Sequence, residues 1–176
     1  MKILLGMSAA TLLFFGTAAC ADQVHATMNT LTTTGIGAEA GSIKAKDTKE
    51  GLELHVQLKG LTPGEHGIHL HQNPSCDPAM KEGQPVPGGG AGGHFDPLNT
   101  THHEGPAGNG HQGDLPFITA DADGNVNAKI IAPHLKEATL LGRSFIVHAG
   151  GDNYSDTPKP LGGGGARMLC GVVSSK

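Results

Sequence analysis

The chain has 176 residues, a hydrophobic share of 37%, aromatics of only 3% and no tryptophan, which bounds it to one modest domain with an aliphatic core. Its 28 glycines, about twice the usual share of roughly 7%, and its 11 prolines point to many turns and exclude an architecture of long helices. A formal charge of -4 excludes a generally basic surface and gives no reason to expect nucleic acid as a partner.

The first segment, MKILLGMSAATLLFFGTAAC, has the layout of a secretory signal: Lys2, an apolar run over residues 3–15, then small residues over 16–19. The run is short of the roughly 20 residues that span a bilayer. Cleavage before Asp22 sets aside residues 1–21 and leaves a soluble domain over 22–176. Alternatively, Thr17-Ala18-Ala19-Cys20 resembles a lipoprotein signal that leaves a lipidated Cys20 and brings in a membrane as partner. Under either reading the exported domain keeps two cysteines, Cys76 and Cys170, and an oxidising compartment favours their pairing.

Next along the chain come strand signals. Over residues 51–60, Leu52, Leu54, Val56 and Leu58 alternate strictly with Glu53, His55, Gln57 and Lys59, as a strand with one buried face requires. His55 falls on the polar face. Less regular strands are expected over 24–33, 36–46, 126–132, 144–148 and 167–173, with Asp123-Gly124 as a turn. Many short strands between turn signals predict an antiparallel sandwich or barrel.

Residues 65–76, EHGIHLHQNPSC, carry three histidines within six positions. On an extended strand the period of two puts His69 and His71 on one face and His66 on the other. About forty residues of poor periodicity follow, with His94, His102, His103, His111 and Asp114 among glycines and prolines. A loop of that length in a compact domain is functional or disordered. Coordination of a metal supplies the order that the missing apolar residues cannot. Imidazole suits copper and zinc, a carboxylate is an accepted zinc ligand, and Gly113 lets a tight turn bring His111 and Asp114 to one ion.

These stretches carry a resemblance. HGIHLH at 66–71, GGHFDPLNTTHHEGP at 92–106, GHQGDLP at 110–116, GRSFIVHAGGDNYSD at 142–156 and GGGGARMLCGVV at 162–173 together resemble the bacterial, periplasmic-type copper-zinc superoxide dismutases. The resemblance implies an all-β fold, an eight-stranded Greek-key β-barrel with long metal-binding and electrostatic loops. It implies copper ligands at His69, His71, His94 and His148, and zinc ligands at His94, His103, His111 and Asp114, so that His94 bridges the two ions. His103 rather than His102 matches, because EGP follows it directly. Asp152 matches a carboxylate linking a copper-side to a zinc-side histidine, His66 a structural histidine, and Cys76 with Cys170 the family's disulfide. Arg167 matches the arginine that attracts and orients the anion. Ile68 departs from the family's usual phenylalanine without touching a ligand.

The implied activity is conversion of superoxide to dioxygen and hydrogen peroxide by copper redox cycling, with zinc holding the bridging His94, in the periplasm, by a monomer or homodimer. Lys81 and Lys159 are further candidates for steering substrate. The rival readings are a copper-binding or copper-storage protein without turnover and an adhesion module whose histidines bind metal only for stability. Storage requires neither Arg167 nor a full zinc set.

Overall fold

The protein is described by a computed structural model over residues 23–175; the expected signal over 1–21, with Cys20, lies outside the described residues. Eleven strands are formed: β1 (Val24–Thr32), β2 (Gly35–Thr48), β3 (Gly51–Leu58), β4 (Gly64–His66), β5 (Ile68–His71), β6 (Ala79–Lys81), β7 (Gln84–Val86), β8 (Ile118–Ala120), β9 (Val126–Ala132), β10 (Ser144–His148) and β11 (Arg167–Ser175). The single α-helical turn among the described residues, α1 (Glu137–Leu140), lies between β9 and β10.

Seven strands form one antiparallel sheet in the order β5-β10-β11-β1-β2-β3-β9. Its two ends are drawn together by a second pairing. β4 runs into β5 across Gly67 and pairs with β8, which leads through a turn at residues 121–125 into β9. The sheet is thereby curled into a Greek-key β-barrel, with crossings between its halves from β3 to β4 and from β9 to β10. Counting β4 and β5 as one kinked strand, and setting aside the small β6–β7 hairpin, gives the expected eight.

Alternation explains the register. Leu52, Leu54, Val56 and Leu58 of β3 are buried, as are Ile43 and Ala45 of β2 and Ile130 and Ala132 of β9, and together they fill an aliphatic core. Phe145 and Phe95 are the aromatic members of that core. The turn falls at Asp123-Gly124 as expected, with Gly124 at φ 77, a conformation that glycine adopts without strain. The sequence reading does not foresee the hairpin β6–β7, nor β8 and its pairing with β4.

The Cys76–Cys170 disulfide closes 94 residues, with a Cα–Cα separation of 5.7 Å, and pins the start of the long loop to β11. The chain-entropy model gives up to about 4.7 kcal/mol for a closure of this length. Reduction is therefore expected to lower the melting temperature by roughly 10 °C. A melt with and without reductant checks this, and an unchanged midpoint would contradict it.

Candidate metal centre

β5 lies at one edge of the seven-stranded sheet, and that edge is covered by the long loop. Leu70 N donates to Gly113 O at 2.9 Å, Phe95 N to Leu70 O at 2.8 Å, and Gln72 N to Gly93 O at 3.1 Å. The loop thus behaves as an irregular extra strand, bringing Asp114 opposite His69 and His94 opposite His71. Gly113 is required here, because a Cβ would run into Leu70 O and Phe95 N. Hydrogen bonds rather than apolar packing order the rest of the loop: Asp96 accepts from Thr100 N and Thr101 N, and Asp156 accepts from His103 N at 3.0 Å.

The result is a buried cluster of imidazoles. His94 is at its centre, its ring stacked on His69 at 3.9 Å between centroids, 5.1 Å from His71, and 5.4 Å from His103 and from His111. His148, at the end of β10, lies 4.9 Å from His69. Two groups have ligand atoms within 4.8 Å of one another: His69, His71, His94 and His148, and His69, His94, His103 and Asp114. His111 stands at the margin of the second, its Nδ1 3.4 Å from Asp114 Oδ1. His69 enters that second group because it stacks on His94; His111 instead turns a buried, unpartnered Nδ1 toward the carboxylate.

Partners on the outer nitrogens fix each tautomer. His71 Nδ1 donates to Gly92 O at 3.0 Å and His148 Nδ1 to Gly165 O at 3.2 Å. His69 Nε2 donates to Asp152 Oδ2 and His103 Nε2 to Asp152 Oδ1, each at 2.7 Å. Each ring therefore directs its second nitrogen inward, that of His103 lying 2.9 Å from Asp114 Oδ2. Of the seven buried side-chain polar atoms without a hydrogen-bond partner among the described residues, six belong to this cluster: His69 Nδ1, His71 Nε2, His103 Nδ1, His111 Nδ1, His148 Nε2 and Asp114 Oδ2. A folded protein does not leave so many acceptors orphaned in one place unless something binds them. Three imidazoles around His94 suit copper, and three imidazoles with one carboxylate suit zinc, so the residues present fit both ions.

The remaining predicted residues have distinct places. His66 donates Nδ1 to His148 O at 2.6 Å and its Nε2 lies 2.8 Å from Thr62 O, so it ties β4 to β10 and takes no part in the cluster. Arg167, at the start of β11, donates to Gly88 O and to Gly92 O, the carbonyl that also holds His71. His102 is exposed whereas His103 is 2% exposed. Sequence reasoning missed Asp156, Tyr154, whose hydroxyl accepts from Phe117 N, and Gly162. Gly162 has φ 69, and a Cβ there would strike both Asp152 Oδ1 and His103 Nε2. Gly162→Ala is therefore expected to push Asp152 off His103 and weaken zinc retention roughly tenfold, read by competition with a chelator; unchanged zinc affinity would contradict this.

Burial, with like charge on neighbouring rings, lowers His69 to about 3 and His148 to about 4. Burial also disfavours charge on His103, but the carboxylates of Asp114 and Asp152 outweigh it and push this imidazole up to about 9. Those carboxylates are held well below the usual range in spite of burial, by the hydrogen bonds they accept from histidines. For metal-free protein the signs follow. His69 and His148 titrate lower folded than unfolded, so their stabilisation is lost as pH falls from about 6.5 toward about 4. His103 titrates higher when folded, so its contribution is present below about 6.5 and lost as pH rises through about 9. The melting temperature of metal-free protein is expected to fall on both sides of neutrality; a maximum at pH 4 would contradict this.

Comparison with known proteins agrees with the geometry. The family described as copper/zinc superoxide dismutase matches residues 39–173. The chain belongs to the copper/zinc superoxide dismutase family. It is 50% identical over 166 residues to the superoxide dismutase [Cu-Zn] of Brucella abortus, covering 94% of this chain and 96% of that one. It is 48% identical over 159 residues to the Escherichia coli protein of that name, covering 90% and 91%. Among solved structures, the Brucella abortus Cu/Zn superoxide dismutase superposes with a TM-score of 0.84 at 52% identity over 85% of this chain and 98% of that one. The monomeric copper, zinc superoxide dismutase of Salmonella enterica gives 0.76 at 47% identity, with the same coverage.

Proposed function

We propose that this chain dismutates superoxide to dioxygen and hydrogen peroxide, with His69, His71, His94 and His148 holding copper and His94, His103, His111 and Asp114 holding zinc. The convergence of buried, unpartnered ligand atoms on both sides of His94 carries this reading. When bound, copper supplies one-electron chemistry, taking an electron from one superoxide anion and returning it to the next, while zinc supplies charge without redox change.

The chain's own residues do the rest. His94 Nδ1 is engaged by Asp114 at 2.9 Å, which leaves Nε2 as the nitrogen for the copper group and as the atom where a proton is held for the forming peroxide. Stacking on His69 keeps that ring in place. Asp152 locks His69 to His103, so a strand-borne copper ligand and a loop-borne zinc ligand share one orientation. Both ligand groups come from one chain, so a monomer is a complete catalytic unit whether or not copies pair. The apolar leader over 3–15 and the disulfide support export to an oxidising compartment, the periplasm.

Arg167 attracts and orients the anion. Its guanidinium is anchored on two backbone carbonyls beside His71, and it contributes to holding His71 and His148 neutral. In a protein of formal charge -4, local field rather than net charge must steer the substrate. Arg167→Ala is expected to keep both metals, to lower the rate at least about tenfold, and to weaken the fall of rate with ionic strength, because a guiding charge is screened over about 10 Å at 0.1 M salt. Loss of metal in this variant would contradict the role.

The test of the function is consumption of superoxide by purified, metal-loaded protein. Many turnovers per chain are expected. Consumption that stops after one equivalent per copper would favour storage.

A further inference from the structure

The outward face of β1, β2, β3 and β9 carries a basic surface that the metal centre does not use. Register sets His25, Lys44, His55 and Lys129 opposite one another, one per strand, in a single transverse row. Lys46 and Lys59 project on either side of the row, and the acids on this face are Glu53, 3.4 Å from Lys129, and Glu39. The next row, Thr27, Ser42, Gln57 and Asn127, is polar and uncharged. With its histidines neutral the face holds four lysines against two glutamates, a positive surplus on a chain of formal charge -4. These side chains are not required by packing, since the core is filled by their inward neighbours Ile43, Ala45, Leu54, Val56 and Ile130.

The start of the described chain supplies a second observation. Gln23, where the described chain begins, lines a shallow depression of about 120 Å³ together with Lys44, Lys46, Glu53, His55 and Lys129. Only Ala21 and Asp22 separate it from Cys20, the candidate lipid-bearing residue. A chain held at Cys20 is therefore tethered within a few residues of this face.

We propose that this face docks the protein on an anionic phospholipid surface. The proposal rests on the export reading and does not require that Cys20 be lipidated. A sheet face lets several lysines approach one plane together, and each lysine near an anionic bilayer raises affinity about fivefold, an effect that fades within a Debye length. Docking leaves the reaction unhindered, because none of the ligand residues lies on β1, β2, β3 or β9: the copper-side histidines are borne by β5, β10 and the long loop.

The experiment uses metal-loaded protein carrying Cys20→Ser, sedimented with vesicles of phosphatidylcholine alone or with one-third phosphatidylglycerol. Binding is expected only to the anionic vesicles at low salt, with release at high salt. Lys44→Glu/Lys46→Glu/Lys129→Glu should weaken it at least about 100-fold while dismutase activity in solution and the disulfide stay intact. Lys81→Glu/Lys159→Glu, off this face, should leave binding unchanged. Equal binding to neutral vesicles, no binding to anionic ones, or a triple variant that binds like its parent would each overturn the proposal, and none of these results bears on the dismutase reading.

Discussion

Asp114→Ala is expected to strip zinc from the protein while copper stays. Asp114 accepts from His94 Nδ1 at 2.9 Å, lies 2.9 Å from His103 Nδ1 and 3.4 Å from His111 Nδ1, and among the described residues is the one carboxylate paired with all three. Its replacement leaves three neutral imidazoles with no anion among them, so zinc affinity should drop by more than the roughly 100-fold that loss of a mere supporting partner costs. His69, His71 and His148 lie on β5 and β10 and keep their own partners at Asp152, Gly92 and Gly165, so the copper group survives. His94 does not fare as well, because Asp114 is the partner of its Nδ1 and the stretch leading to it contains Gly88 and Gly92, both at positive φ. Elemental analysis should give copper without zinc, with a lower melting temperature and activity that falls away as pH rises. Full zinc occupancy in this variant would remove Asp114 from the ligand set.

Asp152→Ala is expected to damage both sites at once and unequally. One carboxylate accepts from His69 Nε2, His103 Nε2 and Tyr154 N, and in doing so it turns Nδ1 of both rings inward, toward the ligand groups. Without it neither tautomer is fixed, and affinity should fall about 10- to 100-fold at each site. Zinc should suffer more than copper, because His69 sits in β5 whereas His103 belongs to a loop that Asp156 and Asp152 hold in place. Asp152→Asn should rescue little: an amide offers one acceptor and one donor group, so it satisfies one of the two ring N–H groups and opposes the other. Equal retention of both metals in either variant would contradict a linking role.

The barrel was legible where one face of a strand is buried. The alternation of β3 and the apolar runs at 126–132 and 144–148 placed three strands, the latter two to the residue, because burial imposes a period of two that composition displays directly. The hairpin β6–β7 was not legible: its three-residue strands expose Met80 and Lys81 and include Pro85, so they have no buried face to leave a pattern. The order of the long loop was legible only in part. Its histidines indicated a use, but the bonds that tie it to the edge of β5 are backbone bonds, which any residue type can make. Gly162 lies within a run of four glycines, and nothing in that run marks which of them abuts Asp152. The pairing of Cys76 with Cys170, by contrast, followed from their being the two cysteines left to an exported domain, and the structure joins them.

The central claim is that one chain holds two different ions on the two sides of His94. The most direct measurement is the metal content of protein isolated from its own compartment, by elemental analysis against protein concentration. One copper and one zinc per chain are expected, with zinc lost first on chelation because its ligands are borne by the loop. Zinc at two per chain with no copper, or a single ion of either kind per chain, would contradict the account.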